Sequence, residues 1–117
     1  LIVSDYEAAK EFYVEKLGFR VKRENYRPER GDWKLDLRLS DTVELEIFAE
    51  KNPPARVSGP EACGLRHLAF WVESVEETVR ELAQKGIVCE PIRIDTYTGG
   101  KMTFFHDPDG LPLELHE

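Results

Sequence analysis

The chain has 117 residues, 41% of them hydrophobic, and 23 acidic side chains against 16 basic ones give a net charge of −7. That length suits one domain with an ordinary core. No apolar run approaches a membrane span or opens like a signal peptide, and the acidic balance excludes a nucleic-acid surface, which needs a basic stripe. An anionic substrate stays compatible with the charge, because a bound metal ion supplies local positive charge. Cys63 and Cys89 are too few and too irregularly placed for a disulfide framework, and read as reduced thiols of a cytoplasmic protein.

Leu1-Ile2-Val3 reads as the tail of a strand whose start precedes Leu1. Asp5 is a helix N-cap, followed at helical spacing by Tyr6, Ala9, Tyr13 and Leu17, and Gly18 closes the segment. Three strands are expected over 19–26, 33–40 and 42–49, with Gly31-Asp32 as a turn. Asn52-Pro53-Pro54 opens an irregular linker that runs through Gly59-Pro60. A strand over 65–72 follows. Ser74 then caps a second helix, with Glu77 at the capping-box position, a stripe of Val75, Val79, Leu82 and Ala83, and Gly86 at its end. Strands are expected over 87–95, 102–106 and 111–116, the last two joined by the turn Asp107-Pro108-Asp109-Gly110.

The second half therefore repeats the first with a shift of about 69 residues. Each copy is a strand, a helix and three more strands, an α+β unit with a mostly antiparallel sheet and its helix on one face. As one domain over 1–117, the chain divides into a first module at 1–50, a linker at 51–63 and a second module at 64–117.

The repeat superposes Leu45-Glu46-Ile47 on Leu113-Glu114-Leu115 without a gap. Side chains alternate along a strand, so the leucines and Ile47 take the core face and Glu46 and Glu114 take the other. His67 lies on the face opposite Leu68, Phe70 and Val72. Two carboxylates and an imidazole on matching faces define a candidate metal site at Glu46, His67 and Glu114. Imidazole with carboxylate suits Zn, Ni, Co, Mn or Fe as the divalent ion. The repeat also places a fourth ligand, expected to be a histidine, three residues before Leu1. His116 shares the face of Glu114, Trp71 shares that of His67, and Glu44 on its own reads as solvated. Trp71 is a candidate substrate contact, as are Arg66 and Lys101 for an anionic substrate tail.

The runs Gly64-Leu-Arg-His-Leu-Ala-Phe and Phe104-Phe-His-Asp-Pro-Asp-Gly-Leu-Pro-Leu-Glu-Leu resemble the vicinal oxygen chelate superfamily, and within it small glyoxalase I-like (lactoylglutathione lyase-like) bacterial proteins. The resemblance implies the glyoxalase/bleomycin resistance/dihydroxybiphenyl dioxygenase fold: paired βαβββ modules, a cupped sheet and helices on its convex side. It implies Glu46, His67 and Glu114 as metal ligands. A glutamate at position 46 is similar to glyoxalase I, whereas extradiol dioxygenases and fosfomycin-resistance enzymes use two His and one Glu. Ile2 stands where glutathione-using glyoxalases often carry arginine. The expected activity is a metal-dependent lyase or isomerase acting through an enediolate on a small hydroxy-carbonyl or hemithioacetal, with Glu114 or Glu46 moving the proton. The alternatives are an extradiol-type dioxygenase and a metal-free small-molecule binding protein. No organic cofactor, nucleic acid or membrane partner is expected. Open sheet edges and the resemblance together point to a homodimer.

Overall fold

The computed structural model describes all residues, 1–117. They form two compact units, Leu1–Ala55 and Arg56–Glu117. The first contains β1 (Ile2–Val3), α1 (Tyr6–Lys10) running directly into a wider helical segment (Glu11–Lys16), β2 (Arg20–Arg27), β3 (Asp32–Arg38) and β4 (Glu44–Ala49). The second contains β5 (Leu68–Trp71), α2 (Val75–Gln84), β6 (Arg93–Ile94), β7 (Lys101–His106) and β8 (Pro112–His116). The sheet orders are β1-β4-β3-β2 and β5-β8-β7-β6, one topology used twice. In each sheet the first strand runs parallel to the last and the other pairs are antiparallel. The parallel pair exists because a helix carries the chain back after the first strand.

Both helices begin and end as the sequence indicates. The Ala8 amide donates to Asp5 Oδ1 at 2.9 Å, and the Glu77 amide donates to Ser74 Oγ at 3.2 Å. Each bond satisfies an amide that the first helical turn leaves without a partner. Gly18 and Gly86 both have φ of 77°, the left-handed conformation that ends a helix cheaply only at glycine. Thirteen positions separate Asp5 from Gly18, but twelve separate Ser74 from Gly86. The extra residue is absorbed in the Glu11–Lys16 segment, where the Leu17 amide reaches the Phe12 carbonyl five residues back, at 2.9 Å. Phe12 and Tyr13, adjacent in sequence, are both buried on that turn.

The core of each unit lies between its helix and one face of its sheet. Val3, Ala9, Phe12, Tyr13, Leu35, Leu37 and Ile47 fill the first; Val75, Leu82, Ile87, Phe105, Leu113 and Leu115 fill the second. Burial of each large aliphatic side chain contributes about 1.5–3 kcal/mol. The buried Thr103 hydroxyl donates to the Glu90 carbonyl at 2.7 Å, so its polar atom is paired. No helix is long and apolar enough to cross a membrane.

Two expected strands are shorter in the structure. The 87–95 strand reduces to Arg93–Ile94, because Pro91 has no amide for the ladder; upstream, only the Glu90 amide reaches the Phe104 carbonyl, at 2.8 Å. The 65–72 strand reduces to Leu68–Trp71, and His67 sits immediately before it. The turn before β8 is held by Asp107, whose Oδ1 accepts from the amides of Asp109 and Leu111 at 3.0 and 2.8 Å.

Candidate functional site

In the second unit, β8 sends Leu113 and Leu115 into the core and Glu114 and His116 to the opposite, open face. Cross-strand register flanks Glu114 with Ala69 and Phe104, and His116 with Trp71 and Met102. His67 Nε2 lies 2.9 Å from Glu114 Oε2, and both side chains are largely covered. The imidazole meets the Phe104 ring edge-on, at 5.4 Å between centroids. Its other nitrogen, Nδ1, is buried with no hydrogen-bond partner. Arg93 lies over the Phe104 ring at 5.6 Å.

In the first unit the same alternation sends Ile47 to the core and Glu46 to the open face, with a side chain 56% exposed. Its surroundings are different. Asp36, only 3% exposed, stands directly across the β3–β4 ladder from Glu46. Lys34 Nζ donates to Glu46 Oε1 at 2.5 Å and lies 3.0 Å from Asp36 Oδ1. Arg23 Nε donates to Asp36 Oδ2 at 3.1 Å. The bond to Glu46, and then that to Asp36, pushes the Lys34 ammonium above its ordinary value. Glu44 is taken up by Lys22 at 2.5 Å, as a solvated ion pair.

Trp71 lies on the open face of the second sheet and is 65% exposed. Arg66 pairs with Glu61 at 2.8 Å and feels the charge of Glu114. Lys101 pairs at 2.9 Å with Glu76, on α2, so it stands on the helix side of the sheet and apart from Glu114. Its alternation with the core residues Thr103 and Phe105 carries that placement in the sequence. Cys63 and Cys89 are free thiols, and burial pushes that of Cys89 up. Sequence reasoning passed over Lys34 and Asp36. The polar alternation of Lys34, Asp36 and Arg38 against Leu35 and Leu37 is their only signal, and it does not give the cross-strand register.

The donor set of the second unit fits a divalent ion. Two donors about 2.1 Å from one ion, at about 90° to each other, stand about 3 Å apart. The His67–Glu114 separation of 2.9 Å matches that spacing, and imidazole nitrogen with carboxylate oxygen suits first-row divalent metals. No group of three His, Cys, Asp or Glu side chains stands at ligating distance. The second unit offers two, His67 and Glu114; within the first, Glu46 keeps Oε2 outside its bond to Lys34.

Duplicated βαβββ units with a His–Glu pair on an open sheet face define the class to which known proteins can be compared. The profile of the Glyoxalase/Bleomycin resistance protein/Dioxygenase superfamily matches residues 1–115, and the chain belongs to that superfamily. The Bacillus subtilis (strain 168) protein YwkD, described as uncharacterized, is 57% identical over 117 residues, covering 100% of this chain and 91% of YwkD. The crystal structure of a glyoxalase family protein from Enterococcus faecalis is 63% identical, with a TM-score of 0.94 over 99% of this chain and 91% of that one. A trypanothione-dependent glyoxalase I from Leishmania major is 27% identical, with a TM-score of 0.74 over 100% of this chain and 81% of that one.

Proposed function

We propose that the protein is a divalent-metal-dependent lyase or isomerase of glyoxalase I type, acting on a small hydroxy-carbonyl or hemithioacetal. The observation that carries this reading is the His67–Glu114 pair, two metal-compatible donors on the open face of a sheet whose other face is core. Membership of a superfamily that commonly uses a divalent metal supports it, as does likeness to a glyoxalase I.

Glu46, His67 and Glu114 are the residues that would hold the ion, which when bound supplies Lewis-acid stabilisation of negative charge on adjacent substrate oxygens. A carboxylate, Glu114 or Glu46, takes the proton from the carbon beside the carbonyl and returns it to the neighbouring carbon. One C–H bond breaks and one forms, so no external oxidant is required. Phe104 shields one side of the His67–Glu114 pair. Trp71 offers apolar surface to the substrate, and Arg66 offers a cation to an anionic tail; Lys101, engaged by Glu76, has no part. The working form is a homodimer in the cytoplasm.

The test is proton exchange followed by NMR in heavy water, with hydroxy-carbonyls and with 2-oxoaldehydes mixed with small thiols, with and without added divalent metal. Metal-dependent isomerisation with deuterium at the rearranged carbon is expected. Oxygen uptake with a catechol, and no isomerisation, would replace this reading with the dioxygenase. Tight substrate binding without metal and without turnover would replace it with the binding protein.

A further inference from the structure

His67 carries half of the candidate pair, yet it lies outside the sheet ladder. β5 pairs with β8 from Leu68, set beside Leu113, and the position before would set His67 against Pro112, which has no amide to donate. What holds the chain at this point is Arg56. Its Nη2 donates to the Leu65 carbonyl at 3.0 Å and to the Arg66 carbonyl at 2.5 Å, while its Nε is buried with no hydrogen-bond partner. The Arg66 carbonyl belongs to the same planar peptide as the His67 amide, so that bond fixes the orientation in which the backbone enters His67. The other hold on this segment, from Arg66 Nε to Glu61 Oε1 at 2.8 Å, is an exposed side-chain pair that leaves the backbone free.

We infer that Arg56 is a positioning residue for the site: by bridging the carbonyls of Leu65 and Arg66 it aims the His67 imidazole at Glu114 and Phe104. The consequence for metal affinity rests on the metal-dependent reading above, whereas the placement of the ring does not. Both bonds face solvent, so without the guanidinium water satisfies the two carbonyls and the unit still folds. Water does not hold the peptide in one orientation, and the ring loses its aim. A single nitrogen makes both bonds, so a lysine at position 56 can keep them.

The test is proton NMR of metal-free, full-length protein at one fixed pH, following the ring signals of the 3 histidines, with those of His67 assigned by their loss in His67→Ala. The Phe104 ring, in edge contact, displaces the His67 signals from their values in an unfolded chain. Arg56→Met is expected to return them most of the way to those values, while the signals of His106 and His116 stay in place. Arg56→Lys and the control Glu61→Gln should keep all of them near the parent's. Zn²⁺ affinity, measured by competition with a chromophoric chelator, is expected to fall about tenfold in Arg56→Met and to recover in Arg56→Lys. Parent-like His67 signals in folded Arg56→Met overturn the inference, as does an equal displacement of all the histidines. Displaced His67 signals with no Zn²⁺ binding by the parent uphold the role of Arg56 and overturn the metal-dependent reading instead. If Arg56→Met does not fold, Arg56→Gln takes its place with the same expected shift. Failure of both to fold gives Arg56 a role in the whole unit and overturns one directed at His67.

Discussion

His67 Nε2 lies 2.9 Å from Glu114 Oε2, although 46 intervening residues separate them in the chain. The parallel pairing of β5 with β8 makes that approach possible, since it sets Ala69 beside Glu114 and brings His67 to the same sheet face. A slip of one residue in β8 would send Glu114 into the core and the pair would be lost. The site therefore depends on the same register that packs Leu113 and Leu115.

The two glycines that end the helices test the duplicated architecture without touching the site. An added Cβ at Gly18 or Gly86 meets nothing within 4 Å, so substitution by alanine costs backbone strain alone. Gly18→Ala and Gly86→Ala should each lower unfolding free energy by about 1–2 kcal/mol, measured by denaturant titration, with metal content unchanged. Unchanged stability would mean that the helix ends relax at no cost.

Much of the fold was readable because alternation and capping are local. Asp5, Ser74, Gly18 and Gly86 mark helix ends by chemistry that involves only their neighbours. The parity that places Glu46 and Glu114 opposite the core follows from one strand at a time. What stayed hidden depends on partners far along the chain. The bond of Lys34 to Glu46 needs the β3–β4 register, and the contact of Phe104 with His67 needs three strands in order. The wider turn after Lys10 left only a trace in the sequence, one additional residue between cap and glycine. The loss of ladder over 87–92 was written at Pro91, in a stretch where Ile87, Val88 and Ile92 read as strand.

Acid should destabilise the protein in a definite window. Glu24, Asp32, Glu44 and Glu76 are held below their ordinary values by bonds from Lys10, Arg27, Lys22 and Lys101, and Asp95 by the amide of Tyr97. A carboxyl depressed in the folded state binds fewer protons there than when unfolded. Its contribution is fully present above the unfolded pKa, 4.5 for these glutamates and 3.8 for these aspartates, and is lost as pH falls through the folded value. Melting temperature should hold steady down to about pH 5 and then drop, with a shallower drop in Asp32→Asn. A flat profile down to about pH 3 would contradict these assignments.

The proposed homodimer would cover exposed sheet edges. β6 ends the second sheet after only two residues, and Val88, Ile94 and Tyr97, in and around it, are all more exposed than buried. Light scattering at micromolar concentration should give twice the chain mass of 13.5 kDa, and Ile94→Lys should shift it toward the monomer. A monomeric mass across that range would contradict the pairing.

The most direct test of the account is elemental analysis of divalent metal in the purified parent, His67→Ala, Glu114→Gln and Glu46→Gln proteins. All three residues lie on open sheet faces away from the helix-packed cores, so the variants should fold. The account predicts bound divalent metal in the parent and a strong loss in each variant at unchanged circular dichroism. Metal content equal to the parent's in folded His67→Ala and Glu114→Gln would contradict it.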